Sequence, residues 1–291
     1  MANEEKIDQI IKSYFKQVPN YAAFGENLVQ IITNSLKEND ISFLSTQYRI
    51  KNIEQFLEKI NRKKYKQPFA EMTDICGIRI ICYFHKDVEE IIALLKNTFE
   101  IVEEIDKSRN EDPTKFGYRS KHLIVKVPKS WGNIPIFKDT KELKAEIQVR
   151  TILMHAWAEI EHKLAYKKQT HIPEHLRRKF SRLSAKLEEA DEQFEELIYE
   201  IRKFKDELSS QKQLPLNTNL NLETLQAFFD FYMPHHVRDI KETRTFLDEA
   251  LEKGIDLQEL TTLFETGRKK GAFRETQNTQ KETTDKILRE K

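Results

Sequence analysis

The feature that most constrains the fold is a change of hydrophobic period in the middle of the chain. Up to residue 62 the apolar residues recur at three- and four-residue steps, the mark of helices buried along one stripe. Between 77 and 149 they gather instead into short runs rich in β-branched and aromatic residues. The run at 77–84 reads as a central strand, and those at 122–127 and 143–149 as two more, with 100–106 as a short fourth. Pro128 ends the second run, since it has no N–H to give a ladder. Residues 87–99 return to the helical step, and after Arg150 everything does. Strands interleaved with helices predict an α/β or α+β sheet domain with helices covering it.

The flanking segments are more uniform. Residues 4–38 carry a stripe of Ile7, Ile10, Ile11, Tyr14, Phe15, Leu28, Ile31, Ile32 and Leu36, which Pro19 is expected to split into two helices. Residues 50–62 set Ile50, Ile53, Phe56, Leu57 and Ile60 on one helical face, with Lys51, Lys59, Arg62, Lys63 and Lys64 on others. A further helix is expected over 151–167, closing a first domain at 1–170. Over 171–213 a long helix carries Phe180, Leu183, Leu187, Ala190, Phe194, Leu197, Ile201, Phe204 and Leu208 at alternating three- and four-residue steps. Such a heptad seam suits packing on its own domain and a subunit contact in a homo-oligomer equally well. Pro215 and an Asn-rich stretch mark a linker. A small helical region is expected over 214–266, cored by Phe228, Phe229, Phe231 and Tyr232, and a polar, disordered tail over 267–291.

Charge excludes some classes of function. The 291 residues carry 49 Lys and Arg against 48 Asp and Glu, a net +1, so no global field draws the chain to nucleic acid or a membrane. Any cationic role must come from local clustering. Cys76 and Cys82 sit six apart in one hydrophobic run, on one strand face, and read as buried thiols rather than a disulfide or zinc pair. No cationic-then-apolar leader opens the sequence and no apolar run nears membrane-spanning length, so the expected location is the cytoplasm and no membrane partner is expected.

Three blocks place polar residues inside strand-like runs. The first is DICGIR at 74–79, where Asp74 precedes a strand, Gly77 allows close backbone approach and Arg79 projects from the strand. A turn cap and a surface ion pair would explain it as well. The second is GYRSKH at 117–122, with Tyr118 as a stacking face and Arg119 as a planar fork for phosphate oxygens. A basic edge strand is the plainer account. The third is EIQVRT at 146–151, which puts Glu146, Gln148 and Arg150 on one strand face. A carboxylate there beside Asp74 suits a magnesium site better than a core. Trp157 and His162 follow on a helix, both read as structural.

In this order the blocks resemble the synthetase domain of the RelA/SpoT family, and the resemblance spans residues 45–167. It implies a mixed sheet flanked by helices, related to nucleotidyltransferases, hence an α+β class. It also implies transfer of the β,γ-pyrophosphate of ATP to the 3′-hydroxyl of GDP or GTP, giving (p)ppGpp and AMP, with Mg2+. Carried over by residue, Asp74 matches the magnesium ligand. Glu146 matches the second acid, which activates the attacking hydroxyl and touches the metal. Arg49 and Arg79 match the pair that sandwiches adenine, and Lys51, Lys59 and Arg62 match cations on the ATP phosphates. Tyr118 matches the residue stacked on the acceptor's guanine, with His122 and Gln148 close to the acceptor. His155 stands at a guanine-contacting position. Thr114 departs from the lysine that small synthetases often carry for the acceptor phosphates, with Lys115 one residue away. The acceptor's identity therefore stays open.

Neither a P-loop nor the kinase motif set occurs, and no His-Asp dipeptide is present as the family's hydrolase domain would require. Residues 215–291 are too short and too helical for the multi-domain region of the long enzymes. Synthesis without hydrolysis is the expectation. Two other readings stand beside it. One is a toxic relative acting on adenine nucleotides or the 3′ end of tRNA, motivated by basic clusters at 62–66 and 177–179. The other is a catalytically silent regulator that binds a partner through its helical C-terminal part.

Overall fold

In the computed structural model, which describes residues 2–106, 120–164, 174–210, 218–233 and 239–269, the mid-chain runs form one five-stranded mixed sheet. Its strands are β1 (Phe43–Ile50), β2 (Cys76–Cys82), β3 (Glu100–Asp106), β4 (Lys121–Lys126) and β5 (Ala145–Thr151). The order is β1-β2-β5-β4-β3, with β2 and β5 parallel and every other pair antiparallel. The class is α+β, as expected.

Period-two alternation gives the sheet two unlike faces. Cys76, Ile78 and Ile80 of β2, Ala145, Ile147 and Val149 of β5, and Leu123 and Val125 of β4 are buried together. They pack against Phe24, Leu28, Ile32 and Leu36 of α1 (Ala2–Glu38) and Val88, Ile91 and Leu95 of α4 (His85–Thr98). Gly25 lets α1 come this close, because a Cβ there would lie 2.6 Å from the Tyr48 ring. On the other face the same strands present Gly77, Arg79, Glu146, Gln148 and Arg150, all partly buried. Both thiols are buried and free, and burial pushes the Cys76 thiol up to about 12.

Two expectations about the first elements need correcting. Pro19 does not divide the first helix: α1 runs unbroken, with Pro19 on its exposed side, where water can satisfy the carbonyl its missing N–H leaves. Residues 43–50 form the edge strand β1, so the following helix starts later, as α2 (Ile53–Lys63). Asn52 caps that helix by accepting from the Gln55 N–H at 2.8 Å. A single turn, α3 (Pro68–Glu71), leads into β2, and α5 (Ile152–Leu164) packs on β2 and β5.

Packing divides the chain into residues 1–196 and 197–291, a boundary inside α6 (Glu174–Ser210). In the first unit Trp157 meets Phe180 edge-on at 5.7 Å, and the Thr151 hydroxyl donates to Asp191 at 2.5 Å. The second unit has its own core, from α7 (Leu222–Tyr232), α8 (Ile240–Glu252) and α9 (Leu257–Lys269), around Phe228, Phe229, Phe246, Leu260 and Phe264. Tyr232 packs on it, but Phe231, expected inside, is 48% exposed. The linker at 211–217 and the tail beyond 269 lie outside the described residues. No described helix is long and apolar enough to cross a membrane.

Candidate active site

The polar face of the sheet opens into a cleft of about 450 Å³, bounded by β1, β2, β5, α2 and α5. Arg49, Lys51, Lys59, Arg62, Arg79, Asp74, Glu146 and Gln148 all line it, drawn from positions up to 99 residues apart. Register explains how. Arg49 pairs with Gly77 across β1 and β2, and Gly77 pairs with Glu146 across β2 and β5. Arg79 pairs with Gln148 one step further on. A Cβ at Gly77 would meet only the Arg49 carbonyl, at 3.8 Å. The protein's own packing thus does not demand glycine; the bare backbone faces the cleft.

Helix α2 adds its share by the 3.6-residue period. Phe56 is buried with Ile53 and Ile60 packed beside it, while Gln55, Glu58, Lys59 and Arg62 turn into the cleft. Lys51 is pinned by its own backbone, donating to the Ile75 carbonyl at 2.9 Å and accepting from the Tyr14 hydroxyl at 2.6 Å. Its ammonium lies 3.1 Å from Asp74 Oδ2, and Lys59 lies 2.7 Å from the same oxygen. The other oxygen, Oδ1, is buried without a hydrogen-bond partner. Two cations on one carboxylate oxygen and none on the other is an arrangement with an open acceptor.

Five fixed cations face three carboxylates here, counting Glu58 with Asp74 and Glu146, so the cleft favours an anion. The guanidinium of Arg49 donates to Gln55 at 2.6 Å and that of Arg79 to Glu159 at 2.7 Å. Both bonds are exposed to water, so a ligand can replace them at little cost.

Glu146 is held from behind. His122, only 2% exposed, does not line the cleft; its Nδ1 lies 2.7 Å from Glu146 Oε1 and its Nε2 lies 2.6 Å from the Ser120 hydroxyl. Facing an ionised carboxylate, Nδ1 must carry the proton, so the Nε2 of a neutral ring accepts from Ser120. Gln148 donates to Glu146 Oε2 at 3.4 Å and accepts from Arg150 at 2.7 Å. Burial, then the neighbouring Arg79, lowers the Arg150 pKa.

His155 sits beside Arg79, Arg150 and Glu159, with Nδ1 buried and unpartnered, and burial lowers its pKa. It is not on the cleft wall. Tyr118, with Thr114, Lys115 and Arg119, lies outside the described residues.

His162, read from sequence as structural, is an exposed lining residue. The signal was available: His155, Glu159 and His162 fall at four- and three-residue steps on one face of α5. Gln47, Gln55 and Glu58 line the cleft too and were missed, as ordinary polar positions beside cations.

Among the described residues no three His, Cys, Asp or Glu side chains gather as a ready-made metal cage. The donor set of Asp74 and Glu146 is one that magnesium accepts, since it binds through one or two carboxylates plus water and phosphate oxygens. The unpartnered Asp74 Oδ1 fits such a role.

Comparison with known proteins agrees with this reading of the sheet and its blocks. Residues 48–171 match the region found in RelA / SpoT proteins. The chain is 36% identical over 135 residues to GTP pyrophosphokinase YwaC of Bacillus subtilis, covering 45% of this chain and 62% of that protein, somewhat less than two thirds. It is 33% identical over 168 residues to GTP pyrophosphokinase YjbM of the same organism, covering 57% and 76%. The crystal structure of small alarmone synthetase 1 from Bacillus subtilis bound to its product pppGpp superposes with a TM-score of 0.56 at 28% identity, covering 66% of this chain and 99% of that one. The chain belongs to the RelA/SpoT family, among its small alarmone synthetases.

Proposed function

We propose that the protein transfers the β,γ-pyrophosphate of ATP to the 3′-hydroxyl of GDP or GTP, making (p)ppGpp and AMP. The observation that carries this reading is the pairing of Asp74 and Glu146 across one cation-lined cleft, with an Asp74 oxygen left open. The names of the relatives, GTP pyrophosphokinases, and a related synthetase bound to pppGpp support it.

Transfer of this kind is mostly positioning and charge neutralisation. Lys51, Lys59 and Arg62 hold the triphosphate oxygens, and Arg49 and Arg79 close on the two faces of adenine. Gln148 orients the acceptor beside Glu146, and Tyr118 stacks on its guanine. The acceptor's 3′-oxygen forms a bond to the β-phosphorus of ATP as the bond from that phosphorus to the α,β-bridging oxygen breaks. AMP leaves, and the hydroxyl proton goes to Glu146. Asp74 and Glu146 would hold Mg2+, which supplies charge neutralisation on the phosphate oxygens. His122 takes no part in contacting the acceptor; it holds Glu146 against the sheet so that its carboxylate meets the nucleophile in one orientation.

The test is incubation of the protein with γ-labelled ATP, magnesium and, separately, GDP, GTP, ADP, AMP or uncharged tRNA. Label on GDP or GTP is the expected result. Label only on an adenine nucleotide or tRNA would replace the acceptor, and no transfer to any of them would overturn the reading.

A further inference from the structure

The polar row on β5 contains an amide whose direction is forced by its neighbours. A glutamine amide has nearly the same shape either way round, so its partners decide which end is carbonyl and which is NH2. Gln148 stands between Glu146 and Arg150 on one face of the strand. Arg150 has only N–H groups to offer, and its Nη2 donates to Gln148 Oε1 at 2.7 Å. Glu146, when ionised, can only accept, and Gln148 Nε2 donates to its Oε2 at 3.4 Å. Reversal would set a carbonyl oxygen against the carboxylate and an N–H against the guanidinium, two repulsive contacts in place of two bonds.

We propose that Arg150 is a positioning residue for the transfer, holding the Gln148 amide in the one direction that puts an N–H on Glu146 and leaves the second N–H for the acceptor nucleotide. The inference rests on the acceptor-side roles proposed above for Glu146 and Gln148. Both of those residues line the cleft and Arg150 does not, so Arg150 acts through what it bonds. The bond to Arg150 is short and charge-assisted, and the one to Glu146 is long. The amide is therefore anchored at its carbonyl end, while its NH2 end can adjust to a ligand. With the amide this way round, Glu146 has a donor at each oxygen, His122 at Oε1 and Gln148 at Oε2.

Arg79 does not supply the direction instead. It pairs with Gln148 across β2 and β5, but its guanidinium is bonded to Glu159 at 2.7 Å. Nor does stability explain Arg150. Burial and then the like charge of Arg79 both disfavour its charged form, against the opposing pull of Glu159 and Glu146. A side chain whose charge is disfavoured where it stands should matter more to the reaction than to the fold.

Selective 15N labelling of glutamine side chains tests the direction without relying on turnover. The Gln148 NH2 signal is the one missing from Gln148→Met. In the parent its two protons should differ widely in shift, because one is bonded to a carboxylate. In Arg150→Met they should move towards the values of a free glutamine amide, and Arg150→Lys, which keeps a donor for Oε1, should preserve the separation. A Gln148 signal unchanged in Arg150→Met would overturn the proposal, whichever acceptor the protein uses. With GDP or GTP as acceptor, Arg150→Met should lower kcat/KM for that acceptor about tenfold or more and leave KM for ATP within about twofold of the parent's. Its unfolding midpoint should stay near the parent's, and Arg150→Lys should recover most of the activity. In a Gln148→Met background, Arg150→Met should cost less than about twofold further. Losses that multiply in that background would overturn the proposal, because Arg150 would then act independently of Gln148. So would a lowered midpoint with unchanged kinetics.

Discussion

Asp74 and Glu146 show how strongly an acid's neighbours decide what it can do. Asp74 is held by two lysines on one oxygen and open on the other; Glu146 is braced by His122 and Gln148. Removing either charge while keeping shape should leave the fold and spoil the reaction. Asp74→Asn and Glu146→Gln are expected to lower kcat by roughly two to four orders of magnitude, with unfolding midpoints near the parent's. Near-normal turnover in either would remove that residue from the mechanism. His122 gives a finer test, because its role is indirect. His122→Ala should cut kcat at least about tenfold with little change in KM for the acceptor, and His122→Gln, which keeps an amide donor, should recover part of it. A rise in acceptor KM with kcat unchanged would instead make His122 a binding residue. The family resemblance implied acceptor contact for His122. What it could not show is that β4 meets β5 with His122 against Gln148, which puts the ring diagonally behind Glu146 and out of the cleft.

At the scale of elements, legibility tracked burial. The strands β2, β4 and β5 were readable because both the period and the β-branched content agreed, and α4 because its stripe is regular. Strand β1 was not, since an edge strand with FLSTQYRI has no buried residue to impose alternation, and its last residue reads as the start of α2. The α1 stripe outweighed Pro19, whose local cost of about 3 kcal/mol is offset by burying Tyr14, Tyr21, Phe24 and Leu28. In α6 the seam was legible but not its direction, because the inner face is built on Ser184 and Asp191. Burial, then the nearby Glu195, pushes the Asp191 carboxyl from its ordinary 3.8 up to about 7. Its folded form holds a proton that the unfolded chain has released. The stability it contributes is therefore full below about pH 3.8 and lost as pH rises to about 7. Asp191→Asn, which stays neutral, should match the parent's melting temperature only below about pH 3.8 and exceed it by a margin that grows up to about pH 7. A difference that does not vary with pH would mean that Asp191 is ionised throughout.

At the scale of the whole molecule, two cores share one chain. The first is a sheet sandwiched on one side by α1 and α4; the second is a cluster of aromatic rings within α7, α8 and α9. No buried residue of one cluster is a member of the other, so damage to one core should leave the other's stability intact. Phe228 is the place to inflict it. Its ring is fully buried and lies 4.9 Å from Tyr232, 5.5 Å from Phe264 and 5.8 Å from Phe229. Phe228→Ala removes those contacts and leaves a cavity, at a cost of about 3–5 kcal/mol to the unit that contains it. The probes separate cleanly, because both tryptophans, Trp131 and Trp157, belong to the first unit. On urea unfolding, tryptophan fluorescence should keep the parent's midpoint, while circular dichroism, which also reads α7 to α9, gains an earlier transition. Nucleotide transfer at low denaturant should survive that earlier transition, since every residue assigned to the cleft lies in the first unit. If the fluorescence midpoint instead falls with the helical signal, the two cores unfold as one cooperative body, and the C-terminal region is then part of what keeps the cleft in shape.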